Sequence, residues 1–358
     1  MRARVLSSIL AILTAAQAEG ASRYVPTTAY PSIQSAVDGA VPGDTIYVAP
    51  GDYYESLLIG KSLTIERHPL LTGDVDIVGG TSGILVRVPT LNTQVTLRNV
   101  RLWYGSPTIY GYLSFYPPAP STALPRLSLY NVYMGLPGTN GGVVGYLHLR
   151  ADDLTVYGSQ GRGISVTGTA DLVDVGVFNS AGRGIAVWNS MYTPSGWYNR
   201  LLRGNIQSNG DAGLYVKNSV GVSFQVQDSY FAGNVGFGVH LDNADGSCVR
   251  NSTVESTQEL AGEAGMGVYA YGSNVCIEDA LIENNVHGVF VYTTEAGGPS
   301  EATLEDVTLR DNDIHLSRIG CDSGVLNLGG VTCWQGSNPQ PCQLWSTQNC
   351  SQEPPAQP

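Results

Sequence analysis

The sequence predicts an all-β fold, a single-stranded right-handed parallel β-helix that winds as a solenoid. A short strand led by glycine recurs at intervals of 21 to 29 residues, which is the period of a solenoid repeat. Between the copies, apolar segments alternate with Gly, Asn and Asp turns, and no amphipathic helix intervenes. Parallel strands without crossover helices must be joined as a coil, in which each rung hydrogen-bonds to the next at about 4.8 Å.

The recurring strand begins at a marker glycine, and alternate residues after the glycine are predicted to point into the core. The markers are Gly163, Gly184, Gly213, Gly238, Gly267 and Gly288, followed by a shortened copy at Asp313. The predicted inward pairs are Ile164 and Val166, Ile185 and Val187, Leu214 and Val216, Val239 and Leu241, Val268 and Ala270, Val289 and Val291, and Ile314 and Leu316. Each rung is thus expected to add an apolar pair to one continuous core.

A second repeated segment precedes these strands and carries Asn or Asp at its third position. This column comprises Asn99, Asn131, Asp153, Asp174, Asp228, Asn251, Asp279 and Asp306, and it ends at Gly330. Stacked carboxylates could hold calcium. We favour a structural ladder, in which stacked side chains satisfy the amides of successive turns.

The chain divides into four predicted segments. Residues 1–18 are predicted to be a signal peptide, because Arg2 and Arg4 precede a short apolar run that ends at Ala18. Residues 19–66 are assigned to an N-terminal cap and first rung, 67–333 to the repeats, and 334–358 to a C-terminal cap and disordered tail. No later apolar run is long enough for a membrane span. We therefore expect a protein that is secreted, periplasmic or displayed on the cell surface.

The charge balance restricts the partners. The chain has 30 acidic residues against 18 Lys and Arg, a formal net charge of −12, and nucleic acid binding needs a basic face instead. We expect a monomer whose partner is a polysaccharide or cell-surface glycan. Neutral or cationic glycans are expected to bind unaided, whereas polyuronates are expected to need calcium as a bridging cofactor.

All six cysteines lie in the C-terminal third, which in an exported chain indicates disulfides. Cys248 and Cys276 hold the same register position, three residues before members of the Asn/Asp column. Neighbouring rungs bring such Cα atoms within disulfide range, so this pair is predicted to form a rung-to-rung disulfide. The pairing of the other four stays open: Cys321, Cys333, Cys342 and Cys350.

The segment YPSIQSAVDGAVPGDTIYVAPGDYYESLLIGKSLTIE, residues 30 to 66, resembles the N-terminal cap and first rung of the pectate-lyase-like superfamily, which includes secreted right-handed β-helix repeat proteins. The resemblance continues through the repeats to about residue 333. It implies a short capping helix near residues 32–38 that covers the open end of the core. It does not imply one activity, since the superfamily includes lyases, hydrolases, esterases, epimerases, adhesins and binding proteins.

The catalytic motifs of this superfamily are incomplete in the chain. Where polygalacturonases carry a Gly-His-Gly turn, the matching turns here carry Arg162 and Arg183, and the strings typical of pectin methylesterases and alginate epimerases are absent. The two arginines, with Asp174, loosely resemble a pectate lyase centre. His240 and Asp242 are the best candidates for acid and base, since such groups carry protons in glycan cleavage.

Asp242 and Asp245 form the weak calcium candidate, because the run Asp242-Asn-Ala-Asp-Gly lacks one residue of a calcium-loop pattern. No other metal or cofactor site is expected.

The side chains that point outward from the recurring strands become aromatic towards the C-terminal half. We predict that a glycan stacks on them, because aromatic faces offer apolar contact to sugar rings; stacking among the aromatics themselves is the structural alternative. The predicted contacts are Trp188, Tyr215, Tyr269, Tyr271, Phe290, Tyr292 and His315. Three functions follow: glycan binding, a polysaccharide lyase or glycoside hydrolase, and a structural surface rod or adhesin.

Overall fold

The computed structural model describes residues 20–80, 83–112, 123–188, 196–218, 222–259, 264–293, 300–320, 323–342 and 344–346. These residues form one α-helix, α1 (Ile33–Gly39), and 34 strands. The first 17 strands are β1 (Ser22–Val25), β2 (Thr45–Val48), β3 (Gly51–Tyr53), β4 (Leu57–Leu58), β5 (Leu63–Arg67), β6 (Val75–Val78), β7 (Val86–Arg87), β8 (Gln94–Trp103), β9 (Ile109–Tyr110), β10 (Arg126–Gly135), β11 (Val143–Tyr146), β12 (His148–Tyr157), β13 (Ile164–Thr167), β14 (Ala170–Phe178), β15 (Ile185–Trp188), β16 (Arg200–Leu202) and β17 (Asn205–Gln207). The remaining strands are β18 (Ala212–Lys217), β19 (Gln225–Gln227), β20 (Tyr230–Ala232), β21 (Phe237–Asp242), β22 (Ser247–Arg250), β23 (Thr253–Glu255), β24 (Met266–Tyr271), β25 (Asn274–Glu278), β26 (Leu281–Glu283), β27 (His287–Tyr292), β28 (Ser300–Glu305), β29 (Thr308–Arg310), β30 (Ile314–Ile319), β31 (Ser323–Gly329), β32 (Thr332–Gln335), β33 (Asn338–Gln340) and β34 (Leu344–Ser346).

The strands wind into a parallel solenoid of about 11 turns, which confirms the predicted fold class. Twelve of them form one sheet, here called the marker sheet, in the order β4-β7-β9-β11-β13-β15-β18-β21-β24-β27-β30-β34. The other 22 strands form the second sheet, which makes the rest of each coil. In the marker sheet, Leu214 lies opposite Ile185 on one side and Val239 on the other, so the repeat spacing gives the register correctly.

The core is a continuous apolar column between the sheets. The predicted inward pairs from Ile164 to Val291 are buried. The last pair is only half right: Leu316 is buried opposite Val289, as predicted, whereas Ile314 lies opposite His287 and is only half-buried. The shortened copy lacks the marker glycine, and His315 occupies the position of Gly288 in the register.

Helix α1 closes the N-terminal end of the core, as the superfamily resemblance implies. Ser32 is its N-cap and forms a capping box with Ser35, which satisfies amides that the first turn leaves unpaired. The Glu55 carboxylate accepts hydrogen bonds from the Ile33 and Gln34 amides at 2.9 and 2.8 Å. Since Ile33 is fully buried, the helix lies directly on the first rungs.

The Asn/Asp column lies at a sharp bend of the second sheet, and its conformation explains its composition. All of its members have φ between 45° and 59°, apart from the terminal Gly330 at 68°. Asn and Asp tolerate this left-handed region better than other residues with a side chain. The predicted ladder is present in part: Asn131 donates to Asn99 at 2.8 Å. Asp174 instead pairs with Arg203, so it does not join Arg162 and Arg183, and the resemblance to a pectate lyase centre does not hold there.

A second ladder, inside the core, is not anticipated by the sequence analysis. Asn234 accepts at Oδ1 from the Asn209 backbone amide and side chain, at 3.1 and 2.9 Å, and it donates to the Ile206 carbonyl at 3.0 Å. Asn285 and Asn312 repeat this arrangement three rungs further along, with Asn285 in the role of Asn209. These asparagines lie three or four residues before the register position of the marker glycine, which is the signal that could have revealed them.

The cysteines agree with the predicted register. Cys248 lies opposite Cys276 with a Cα–Cα distance of 4.6 Å, and the two form a disulfide. A second disulfide joins Cys333 to Cys342, at a Cα–Cα distance of 5.3 Å. Cys321, Cys350, the predicted signal peptide and the predicted disordered tail lie outside the described residues. No helix in the described part of the chain is long and apolar enough to span a membrane.

Candidate functional site

Two hollows in the described part of the marker sheet are lined by Arg162 and Arg183 and their neighbours. The C-terminal hollow has a volume of about 580 Å³ and is lined by Arg183, Asp211, Phe237, His240, Asp242, Met266, Tyr269, Tyr271, Phe290, Tyr292 and Ile319. The N-terminal hollow has a volume of about 750 Å³ and is lined by Ile84, Ser106, Pro107, Tyr110, Thr139, Asn140, Val144, Gln160, Gly161, Arg162, Ser165, Ala181 and Gly182. Arg162 lines the N-terminal hollow and Arg183 lines the C-terminal hollow, and the two stand on neighbouring rungs, so we call the space between them the junction.

The two arginines pack around one tryptophan at this junction. The Arg162 and Arg183 guanidinium carbons lie 5.6 and 5.5 Å from the centre of the Trp188 ring. Arg183 also lies 3.7 Å above the Tyr215 ring. Guanidinium groups are attracted to aromatic faces, so these rings fix the direction in which both positive charges point.

The positive charge at the junction is only partly neutralised. Arg183 pairs with Asp211 at 2.8 Å, and no carboxylate among the described residues pairs with Arg162, which is exposed and donates to the Ser165 hydroxyl at 3.3 Å. Partial desolvation and the charge of Arg183 lower the pKa of Arg162, although a guanidinium keeps its proton at any physiological pH. The junction therefore carries more positive than negative charge.

Asp242, which lines the C-terminal hollow, accepts hydrogen bonds from three neighbouring side chains. Its Oδ2 accepts from the Tyr215 hydroxyl at 2.9 Å and from Lys217 Nζ at 2.8 Å, and its Oδ1 accepts from Asn243 at 2.7 Å. Burial, followed by the Asp242 charge, raises the pKa of Tyr215. With both oxygens occupied and only 5% of the residue exposed, Asp242 is poorly placed to ligate calcium or to exchange protons with a glycan. Asp245, the other calcium candidate, is exposed and accepts instead from the Asn274 amide.

His240 lies on the floor of the C-terminal hollow among aromatic rings. Its imidazole is centred 4.8 Å from the Tyr215 ring and 4.6 Å from the rings of Phe237 and Tyr269. Its Nδ1 is buried and has no hydrogen-bond partner among the described residues. Desolvation lowers the pKa of His240 to about 3, so the ring is neutral at physiological pH and one of its nitrogens carries an unshared electron pair.

The predicted aromatic contacts divide into three groups. Trp188, Tyr269, Tyr271 and Tyr292 are partly exposed on the marker sheet, as expected. Tyr215 and Phe290 are only 5% and 6% exposed, so the prediction of an open strip is wrong there, because neighbouring side chains cover both rings. His315 does not continue the strip: Ser317 lies opposite Phe290, and His315 lines a separate hollow with Leu344 and Trp345.

The polar lining of the N-terminal hollow is missed by the sequence analysis. Thr139, Asn140 and Gln160 come from turns ahead of marker strands, and they carry no repeated signal. Asp211 is missed as well, although it stands directly before the register position of Arg183 on the next rung. Its position two residues before the marker Gly213 is the sequence feature that could have identified Asp211 as a neighbour of Arg183.

Comparison with known proteins agrees with this architecture. A family model described as a right-handed beta helix region matches residues 145–341. The chain belongs to the right-handed β-helix family. No curated protein sequence matches this β-helix protein.

Solved structures resemble this right-handed β-helix along most of its length. The A-modules of the mannuronan C-5 epimerases AlgE4 and AlgE6 from Azotobacter vinelandii are each 16% identical to it, with TM-scores of 0.57 and 0.50. Each alignment covers 88% of this chain, and 92% and 94% of the respective epimerase modules. The catalytic domain of a GH87 α-1,3-glucanase aligns over 91% of this chain and 68% of its own, at 12% identity and a TM-score of 0.49. The likeness to the two epimerase modules shows a shared fold.

Proposed function

We propose that this protein binds an acidic polysaccharide along the outer surface of the marker sheet, with uronate carboxylates held at the junction of the two hollows. The observation that carries the proposal is the arginine pair: of the two guanidinium groups on neighbouring rungs, Arg183 pairs with Asp211, whereas Arg162 is exposed and pairs with no carboxylate among the described residues. A guanidinium can donate two parallel hydrogen bonds to a carboxylate. A uronate would supply the charge that the junction lacks.

The negative net charge led us to expect a neutral or cationic glycan as the ligand, and this proposal replaces that expectation with an acidic one. The chain as a whole is acidic, which favoured neutral glycans, but salt screens charges beyond about 8 Å. A ligand at the junction therefore responds mainly to the nearby arginines. Calcium is not required for a uronate that meets a guanidinium directly.

The aromatic rings and the neighbouring structures support a polysaccharide as the ligand. Trp188 lies between the arginines, where its remaining exposed surface can pack on the apolar face of a sugar. Two proteins of similar fold are mannuronan C-5 epimerases by name. Long glycans lie outside most cells, and the two disulfides are typical of an exported chain.

Binding should be selective for uronate polymers and should weaken as salt increases, because screening reduces the attraction between carboxylates and arginines. The measurement is affinity electrophoresis or titration calorimetry with polygalacturonate, alginate and neutral dextran at low and high salt, all without calcium. Asp211→Asn should tighten polyuronate binding about threefold to tenfold, because it frees Arg183 from competition. Asp174→Asn, which frees Arg203 on the second sheet, is the matched control and should change nothing. Equal affinity for dextran and polyuronates would remove the proposal.

A second candidate function, β-elimination within a bound uronate polymer, is favoured by His240. A neutral imidazole can take the proton from C5, next to the uronate carboxylate. The released electrons form a double bond between C4 and C5 while the C4–O bond to the next sugar breaks. The departing oxygen would take its proton from Lys217, whose side chain is partly exposed and pairs with Asp242 on the next rung.

Elimination leaves an unsaturated uronate that absorbs ultraviolet light, which gives a direct assay. Activity should persist as pH falls from 7 to about 4, because the His240 pKa of about 3 keeps the base unprotonated over that range. His240→Asn should abolish the absorbance change and leave polyuronate binding within about twofold. Loss of binding along with activity would show that His240 shapes the hollow instead. Wild-type protein that binds polyuronates and releases no unsaturated product is a binding protein only.

A further inference from the structure

The chemistry of the groove changes along the rod axis, and from this change we infer that the ligand is a mixed polymer, in which uronate residues are separated by uncharged sugars. The inference rests on the proposed function, because it takes the arginine junction as the uronate site. The C-terminal hollow beyond the junction is then the site of the uncharged sugars.

The far part of the C-terminal hollow has aromatic and aliphatic walls. Strands β24, β27 and β30 contribute its distal lining: Tyr269, Tyr271, Phe290, Tyr292 and Ile319. The Tyr271 and Tyr292 rings are 5.6 Å apart on neighbouring rungs and inclined by 38°. Both rings are partly exposed, so they form a ridge against which the apolar face of a sugar can pack.

A carboxylate would be unfavourable at this ridge. Among the described residues that line the hollow, Arg183 is the one cation, and it stands at the end next to the junction. Asp211 and Asp242 line the same hollow, and His240 is neutral. A uronate carboxylate placed over Tyr292 would lose water without gaining a cation, whereas an uncharged sugar loses no ionic hydration there.

The N-terminal hollow has different walls. Its described lining includes hydroxyl and amide groups, such as Ser106, Thr139 and Gln160, together with Arg162 and no carboxylate. Such a lining accepts either an acidic or an uncharged sugar. The choice between an acidic and an uncharged sugar is therefore expected to be made on the C-terminal side of the junction.

The tyrosine ridge lies several sugar units from the arginine junction. Tyr271 stands three rungs beyond the rung of Arg183, and Tyr292 stands four rungs beyond it, along β15, β18, β21, β24 and β27. At about 4.8 Å per rung, these separations are roughly 14 and 19 Å, which correspond to several sugar units. A homopolymer of uronate would place a carboxylate on every sugar unit over the ridge, whereas a polymer with uncharged sugars between its uronates places fewer carboxylates there.

The first arm of the test compares polymers. Hyaluronan alternates glucuronate with uncharged N-acetylglucosamine, and deacylated gellan carries glucuronate among mostly uncharged sugars. At equal uronate concentration, at least one of these should bind about tenfold more tightly than polygalacturonate and alginate. The inference is overturned if both homopolymers bind as well as both mixed polymers.

The second arm changes the ridge. Tyr271→Ala with Tyr292→Ala should weaken the preferred mixed polymer about tenfold and leave the homopolymers unchanged, whereas the two Tyr→Phe changes should retain the preference. Tyr292→Arg should raise homopolymer affinity, since it supplies the missing cation. Tyr157→Ala, at an exposed tyrosine of the second sheet, is the matched control. Equal losses for both polymer classes in the double Ala variant would contradict the division of the groove.

The two proposals can fail separately. If Asp211→Asn and salt act as expected but mixed polymers gain nothing, the arginine site stands and the inference about mixed polymers is wrong. If no uronate polymer binds better than dextran, both are wrong.

Discussion

Arg162→Glu should abolish detectable binding of uronate polymers, with a loss of at least about 100-fold in affinity. The change removes a bidentate donor and places a negative charge beside the remaining Arg183, whose own charge is shared with Asp211. Breaking a close pair of charges costs about 2 to 5 kcal/mol, and each 1.4 kcal/mol is tenfold in affinity. The fold should be unaffected, because Arg162 is exposed and has no described ion pair.

The matched control is Arg98→Glu. Arg98 is also exposed, has no described ion pair, and stacks on an aromatic ring, with its guanidinium carbon 4.3 Å from the centre of the Tyr130 ring. It lies on β8 of the second sheet, away from the hollows. Calorimetry of both variants with the same polyuronate separates a local site from a general effect of net charge. Equal losses in the two variants would place the ligand elsewhere.

Asn234→Ala should lower the free energy of unfolding by about 3 to 5 kcal/mol. The substitution deprives the Asn209 amide and the Ile206 carbonyl of their partner in a site that water does not reach, since Asn209 and Asn234 are 0% and 1% exposed. Each buried polar group left unpaired costs about 1 to 3 kcal/mol. Chemical denaturation of the exported, disulfide-bonded protein measures the difference.

Asn131→Gly is the control for this prediction. Asn131 also takes part in an asparagine ladder, but it is exposed, so water can replace its bond to Asn99. Glycine tolerates its positive φ of 49°. A loss below about 1 kcal/mol is expected. Similar losses at both positions would mean that burial does not determine the value of the ladder.

The solenoid could be predicted because its rules are local and repeat. Gly213 and Gly238 precede inward pairs in the expected register, and the capping helix begins at Ile33, directly after its N-cap Ser32, close to where the superfamily resemblance places it. The prediction failed where a local cue was missing. His315 replaces the glycine that marked earlier rungs, and the register there follows the buried Asn312, which aligns with Asn285.

The candidate site was predictable only in part. Arg162, Arg183 and His240 were recognised as chemically capable, since their types and their places beside marker glycines are visible in the sequence. The charged groups that surround these three residues could not be predicted from the sequence. The carboxylate of Asp174 is used by Arg203 on the second sheet, and that of Asp242 is used by Lys217, and neither pairing follows from spacing along the chain.

Most of the side chains that enter the core, and the order of neighbouring rungs, follow from the sequence alone, because the repeat period of a solenoid fixes which residues lie next to each other in space. The sequence also determined the pairing of Cys248 with Cys276. The tertiary structure alone decided which charges are compensated and which aromatic rings are covered. Charge pairing and exposure depend on contacts within about 4 Å between side chains of different rungs, so an acidic chain can present an arginine junction that its net charge does not reveal.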